Sequence, residues 1–77
     1  MSAKEVFAKA AYDFIEKMGP ALGDTKLILG DEFLKITAKD FYFSIRTEKV
    51  KKMLKSKAQN KVRSFLVDKL CNLMSNE

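Results

Sequence analysis

The N-terminal part of the chain carries apolar side chains at helical spacing. Every third or fourth position is apolar, and these positions form one stripe: Phe7, Ala10, Ala11, Phe14, Ile15 and Met18. The opening SAKE predicts a capping box, in which the Ser2 hydroxyl accepts a backbone N–H and the Glu5 side chain reaches back. Gly19 and Pro20 are typical of a helix end, because glycine tolerates a left-handed cap and proline cannot continue the hydrogen-bond ladder. We therefore predict a first helix over residues 3–18.

From Thr25 onward the apolar positions alternate instead. In FLKITA (33–38) and FYFSIR (41–46), every second side chain belongs to a predicted core face: Leu34, Ile36, Ala38, Phe41, Phe43 and Ile45. The pair KD at 39–40 predicts a two-residue hairpin loop, and GDE at 30–32 predicts a turn. A short apolar segment at 26–29 is the third strand, at the edge. The pattern predicts a three-stranded antiparallel meander with one core face.

The remainder of the chain contains no Gly or Pro, which predicts one long second helix over residues 48–74 with Thr47 as its N-cap. Its apolar arc changes direction halfway along. The first half has an apolar arc around Val50 and Leu54, opposite its lysines. The second half is apolar almost all round, at these positions: Val62, Phe65, Leu66, Val67, Leu70, Cys71, Leu73 and Met74.

This order of helix, three strands and helix predicts a single α+β domain over residues 1–77, with two layers and both helices on one face of the sheet. The predicted core has these members: Phe7, Phe14, Leu27, Leu34, Ile36, Phe41, Phe43, Ile45, Leu54 and Phe65. A chain of this length buries only about 60% of the surface that its unfolded form exposes, so we expect a thin core. The lone Cys71 cannot add an internal disulfide, which leaves oligomerisation or a partner as the supplement.

The broad apolar surface of the second half of the long helix needs cover on a second side. The first helix, a second copy of the chain and another protein are the candidates, and fraying of the C-terminus is the remaining alternative. We expect a symmetric homodimer, because burying each large apolar side chain contributes about 1.5–3 kcal/mol. The predicted partner interface consists of these residues: Val62, Leu66, Val67, Leu70, Leu73 and Met74.

Positive charge is concentrated in one stretch. The chain carries 15 Lys and Arg against 10 Asp and Glu, a net charge of +5, and the stretch from Thr47 to Arg63 holds seven of these basic residues and one acid. Lysines on a helix often serve only solubility, but apart from Glu48 this stretch lacks the interleaved glutamates that pair with lysine at four-residue spacing. It also continues from the outward face of the last strand, where Tyr42 and Arg46 lie. Such a surface can contact phosphates and stack on a base.

The sequence offers little catalytic chemistry, and we expect a protein that is not an enzyme. It has no histidine, which removes the commonest general base and, with one cysteine, the usual zinc ligand sets. Cys71 lies in an apolar segment, as a buried structural thiol does, and Asp31 and Glu32 lie in a predicted turn. We therefore expect no cofactor, metal or small-molecule substrate. No apolar run approaches the roughly 20 residues of a membrane span and no secretory leader is recognisable, so we expect a cytoplasmic protein.

Two families of RNA-binding proteins have a similar order of elements. The stretch KSKAQNK (55–61) resembles the basic segment in the second helix of double-stranded RNA-binding domains, which run helix, three strands, helix. The chain departs from that family because it lacks the Gly-Pro-x-His loop and carries its basic residues deeper in the helix. The order of elements and the basic third strand also resemble the Alu-RNA-binding proteins of the signal recognition particle. That resemblance implies pairing with a partner of like fold and RNA binding on the sheet.

Two functional hypotheses follow. The first is a non-catalytic module that binds nucleic acid, RNA rather than DNA, through these residues: Lys35, Tyr42, Arg46, Lys49, Lys51, Lys52, Lys55 and Arg63. The alternative is a protein-interaction module, such as a homodimeric subunit, adaptor or inhibitor of a larger protein machine, that uses the apolar C-terminal helix. The first hypothesis needs the lysines exposed, whereas the alternative needs the apolar C-terminal half uncovered.

Overall fold

A computed structural model describes residues 2–75, and of Pro20 it describes the backbone alone. The elements in this range are α1 (Ala3–Leu22), β1 (Lys26–Leu29), β2 (Phe33–Ala38), β3 (Phe41–Arg46), α2 (Thr47–Ser56) and α3 (Gln59–Ser75). The strands form one antiparallel sheet in the order β1-β2-β3, and the helices pack on one face of it. The predicted α+β class and the meander are confirmed. Among the described residues, no helix has the length and apolar character needed to cross a membrane.

Helix α1 begins as predicted and ends later than predicted. The capping box is present: the Ser2 hydroxyl accepts the Glu5 N–H at 3.2 Å, and the Ser2 N–H donates to Glu5 Oε1 at 3.4 Å. The prediction that Gly19 and Pro20 end the helix is wrong, because the helix continues to Leu22, whose side chain it buries. Gly23 is the terminating residue, since its positive φ of 71° suits glycine and its N–H donates to the Gly19 carbonyl at 3.3 Å.

Alternation in β2 and β3 produces the buried face of the sheet. Leu34 pairs with Ile45 and Ile36 pairs with Phe43 across the two strands, which puts all four side chains on the side of α1. The aromatic rings of Phe7 and Phe43 stack with centroids 6.4 Å apart. At the other end of the interface Phe14 and Phe41 lie 5.2 Å apart. The two-residue loop at 39–40 fixes this register, as the sequence predicts.

The predicted core is confirmed at most of its positions, and three side chains are only partly buried. Leu27 lies on the edge strand β1, where the helical layer covers the sheet less completely. Leu54 lies in the last turn of α2 and packs against the margin of the core. Phe65 is flanked by the ammonium groups of Lys57 and Lys69, each 5.6 Å from its ring centroid, so lysine side chains rather than core residues cover its outer side.

The predicted continuous helix over residues 48–74 is wrong, because the chain breaks between α2 and α3. Lys57 is extended, with φ −135° and ψ 154°, and its N–H closes α2 on the Met53 carbonyl at 2.8 Å. The Ser56 hydroxyl also donates to the Met53 carbonyl, which competes with continued helix. The break allows two differently directed apolar arcs to reach one core: Val50 is buried from α2 and Val62 from α3.

Thr47 is the first residue of α2 and not its N-cap, so that prediction is also wrong. Arg46 occupies the N-cap position and makes no side-chain capping bond. The Thr47 hydroxyl is buried and donates to the Gly30 carbonyl at 2.8 Å, and the Thr47 N–H donates to the Glu32 carbonyl at 2.9 Å. Both bonds satisfy turn carbonyls and tie the start of α2 to the turn between β1 and β2.

Helix α1 covers much of the surface that the sequence assigns to a partner. Helices α1 and α3 pack side by side, and Val62, Leu66 and Leu70 are fully buried between them in a single chain. Val67 is nearly so. Of the predicted partner interface, only Leu73, which is exposed, and Met74, which is half-buried, remain accessible. Of the candidates for covering this surface, the first helix is therefore the one that covers the four buried residues.

Candidate nucleic-acid interface

Aromatic and basic side chains occur together on the outer face of the sheet. Its members alternate with the core residues along the strands: Lys26, Ile28, Phe33, Lys35, Thr37, Tyr42, Ser44 and Arg46. The helices pack on the opposite face, so these side chains face solvent. Tyr42 is 62% exposed and Phe33 is 36% exposed, which is unusual for aromatic side chains inside a sheet. We call this set the outer sheet face.

Strand register arranges the outer sheet face in rows. Phe33 lies directly opposite Arg46, and Thr37 lies directly opposite Tyr42. Between these two pairs, Lys35 lies opposite Ser44. Because each row is two residues from the next, Tyr42 and Arg46 are about 13 Å apart along β3. The face therefore has the Tyr42 ring at one end and the pair of Phe33 and Arg46 at the other, with the row of Lys35 and Ser44 between them.

The ring of Phe33 holds two of the cations. The Lys35 ammonium nitrogen is 5.5 Å from the ring centroid, and the Arg46 guanidinium carbon is 5.6 Å from it. Both distances are in the range of cation–π attraction, which is worth about 0.5–1 kcal/mol at exposed sites. Two long side chains that would otherwise move freely in solvent are thus gathered over one ring.

The outward strand positions carry three cations, Lys26 among them, and no carboxylate. Acidic residues lie instead in the flanking turns. Asp31, in the turn between β1 and β2, pairs with Lys4 at 2.8 Å. That hydrogen bond is the main reason that the pKa of Asp31 lies below its ordinary value, and the charge of Lys51 contributes less. The outer sheet face is therefore positive along its length, and one of the nearby acids is already neutralised by a partner.

Helix α2 adds a second group of exposed cations. Val50 and Thr47 point into the protein, and the exposed positions opposite them are Lys49, Lys51, Lys52 and Lys55. Helix α2 begins directly after Arg46, and Thr47 anchors it to the turn that precedes Phe33. The structure thus starts α2 next to the row of Phe33 and Arg46, with its lysines on the side of the helix that faces away from the core, and it places Lys35 and Tyr42 on the outer sheet face.

Arg63 lies elsewhere, in the helical layer. Its guanidinium donates two hydrogen bonds to the carboxylate of Asp13 on α1, one from Nη2 at 2.8 Å. The bidentate pair lowers the pKa of Asp13 and raises that of Arg63. It borders a groove of about 560 Å³ between α1 and α3, whose lining includes the acids Glu16 and Asp68. Arg63 therefore fastens α3 to α1 and is not part of the outer sheet face.

Phe33 is the aromatic residue of this face that sequence reasoning leaves out of the site. The alternation places its side chain outward, beside Lys35 and Thr37. What the alternation alone does not give is its partner across the sheet. The two-residue loop at 39–40 supplies that information, because it sets the register in which residue 33 lies opposite Arg46.

The described residues contain no group of three or more carboxylate, cysteine or histidine side chains arranged to hold a metal ion. Cys71 is a free thiol, half-buried on α3, and the Ser75 hydroxyl donates to its backbone carbonyl. The outer sheet face offers ammonium, guanidinium, hydroxyl and aromatic groups, which suit phosphates and bases. Comparisons of the chain with protein-family models, with curated proteins and with solved structures found no match.

Proposed function

We propose that this chain is a non-catalytic nucleic-acid-binding module that contacts RNA with the outer sheet face and the lysines of α2. The observation that carries the proposal is the exposure of Tyr42 and Phe33 beside Lys35 and Arg46 on strands without an outward carboxylate. Aromatic rings and cations together match the two chemical components of a nucleic acid, its bases and its phosphates.

The cations of this surface predict a salt-dependent affinity. Three come from the sheet, Lys26, Lys35 and Arg46, and the exposed face of α2 adds four lysines. Neutralising phosphates releases counterions, so contact with about four to six phosphates of a single strand gives a slope of roughly −3 to −4 in log K against log salt concentration. If the lysines serve only solubility, the chain does not bind RNA at this surface and the titration shows no salt-dependent affinity of this size.

A binding titration at two salt concentrations tests the proposal. Fluorescence anisotropy of a labelled RNA is measured with the native chain and with the double variant Lys35→Gln, Arg46→Gln. The double variant Lys9→Gln, Lys17→Gln is the matched control, because it removes the same charge from exposed positions on α1. We expect the sheet variant to weaken binding about tenfold and to reduce the magnitude of the salt slope by roughly 1 to 2, and the control to change both little.

Two results contradict the proposal. The first is the absence of detectable binding at low salt. The second is an equal loss of affinity in the sheet variant and in the α1 control, since that shows attraction to net charge without a site.

A protein-interaction module is the second candidate, and a different observation favours it. Strand β1 is at the edge of the sheet, and its neighbouring residues Ile28 and Leu29 are 50% and 39% exposed on opposite faces. An edge strand with exposed apolar residues can pair with a strand of another chain. Light scattering over a range of concentrations tests self-association of this kind. We expect a dimer to dissociate in Ile28→Lys, and a native monomer at every concentration excludes self-pairing.

A further inference from the structure

We infer that the outer sheet face selects single-stranded over double-stranded nucleic acid, with one base stacked on the ring of Tyr42. The inference rests on the proposed function and specifies its ligand. The charge on this face is complementary to a polyanion, and the other groups on the face decide which form of polyanion fits. Those groups are flat, exposed and spaced along one strand of the sheet.

Tyr42 is an open stacking platform. Its side chain is 62% exposed, and its cross-strand neighbour is Thr37, which is too small to cover the ring. Beyond Thr37 in the same row lies Lys26 of β1, whose ammonium group can reach a phosphate next to the stacked base. A base that lies on this ring requires nothing to move out of the way.

A second platform lies at the other end of the face. The ring of Phe33 is occupied by Lys35 and Arg46, so a base does not reach it directly. The guanidinium of Arg46 is itself planar and exposed, and a guanidinium plane stacks on a base as an aromatic ring does. Phe33 is thus a positioning residue, which holds the Arg46 platform and the Lys35 charge in place.

The spacing of the two platforms suits a short strand. They are separated by four residues of β3, which is about 13 Å. At the stacked rise of ~3.4 Å per nucleotide, that distance corresponds to roughly four nucleotides. Lys35 and Ser44 lie in the row between the platforms and offer an ammonium group and a hydroxyl to the intervening phosphates and sugars.

A duplex cannot use these groups. Its bases are paired and stacked inside the helix, so their faces are not available to a ring on a flat sheet. The duplex can present phosphates to Lys35, Arg46 and the α2 lysines, which gives binding through charge alone. Loss of the Tyr42 ring should therefore weaken the binding of a single strand and leave duplex binding unchanged.

The test compares three labelled ligands at one salt concentration: a single-stranded RNA, the DNA strand of the same sequence and the corresponding RNA duplex. A length of about 12 nucleotides lies within the site sizes usual for single-strand binders. We expect either single strand to bind at least about tenfold more tightly than the duplex. Tyr42→Leu should weaken single-strand binding on the order of 10-fold and change duplex binding less than about twofold. Tyr12→Leu is the matched control, because Tyr12 is also 62% exposed but lies on α1.

Tyr42→Phe separates stacking from hydrogen bonding, because it keeps the ring and removes the hydroxyl. We expect it to bind single strands like the native chain, and a loss equal to that of Tyr42→Leu overturns the stacking geometry. Duplex binding as tight as single-strand binding also overturns the inference, as does an equal effect of Tyr42→Leu on both ligands. In each of these cases the proposed function stands if the double variant Lys35→Gln, Arg46→Gln still weakens binding. If no single strand and no duplex binds at low salt, both the inference and the proposed function are refuted.

Discussion

Replacing Leu66 by alanine tests how the helical layer is held together. Leu66 is fully buried between α3 and α1 in a single chain, so the substitution removes apolar contacts and leaves a cavity. Buried Leu→Ala changes cost about 2–5 kcal/mol. A domain of this size has a total free energy of unfolding of roughly 4–12 kcal/mol, so the loss is a large fraction of it. With a urea m-value near 1 kcal/mol per M, the unfolding midpoint should fall by roughly 2 M or more.

Urea unfolding followed by circular dichroism measures the change at two protein concentrations. Leu73→Ala is the matched control, because Leu73 lies on the same helix and is 40% exposed; its cost should be under about 1 kcal/mol. Cover by α1 is intramolecular, so the midpoints of both variants and of the native chain should not depend on concentration. A native midpoint that falls on dilution, with Leu66→Ala and Leu73→Ala equally costly, refutes this account and restores a dimer through α3.

Substitutions at three further places test local features of the fold. Gly23→Ala should lower the free energy of unfolding by about 1–3 kcal/mol, because φ 71° and ψ −146° suit only glycine. Gly19→Ala, in the helical last turns of α1, should instead raise it by up to about 1 kcal/mol, and equal effects of the two in chemical denaturation would argue against the observed helix end. Thr47→Val should cost about 1–2 kcal/mol more than Thr47→Ser, since only serine keeps a hydroxyl to donate to the turn carbonyl; identical thermal midpoints contradict this. Asp13→Asn should destabilise the chain most above about pH 4, the ordinary pKa of an aspartate. Because pairing lowers the pKa of Asp13 in the folded chain, its contribution is complete above the unfolded pKa and is lost as pH falls through the folded one, so a difference from the native chain that grows in acid contradicts the pairing.

The sheet could be predicted from the sequence because its signals are local. The side-chain period of two in β2 and β3 and the two-residue loop at 39–40 determine which residues face the core and which rows they form. That register puts Lys35, Tyr42 and Arg46 on one face, as the sequence predicts for the site. The capping box at Ser2 is local in the same sense and is also correct.

The helical errors arise where packing decides between local alternatives. Gly19 and Pro20 look like a stop, but one more turn buries Leu22 and lets Gly23 close the helix. Residues 57–58 are Lys and Ala, so no Gly or Pro marks the break between α2 and α3. A straight helix would nevertheless direct Val50 and Val62 to different sides, and both side chains are buried in one core. The change in direction of the apolar arc is the sequence signal for this break. That change would have supported a prediction of two helices instead of one.

The ion pair of Arg63 with Asp13 shows why the site could not be predicted completely from the sequence. In the sequence Arg63 is one more cation at the end of a basic stretch. Its partner Asp13 is fifty positions away, and no local pattern connects the two. Only the packing of α3 along α1 brings them together, and it engages Arg63 with a carboxylate.

Amide chemical-shift mapping with a single-stranded RNA locates the contact surface of the protein residue by residue. We predict that shifts at low salt concentrate on the outward positions of β2 and β3, at Phe33, Lys35, Tyr42 and Arg46, and continue into the first turns of α2. The groove between α1 and α3, at Asp13 and Arg63, should be unaffected. Shifts confined to that groove, or no shifts at low salt, would contradict the claim that the outer sheet face binds nucleic acid.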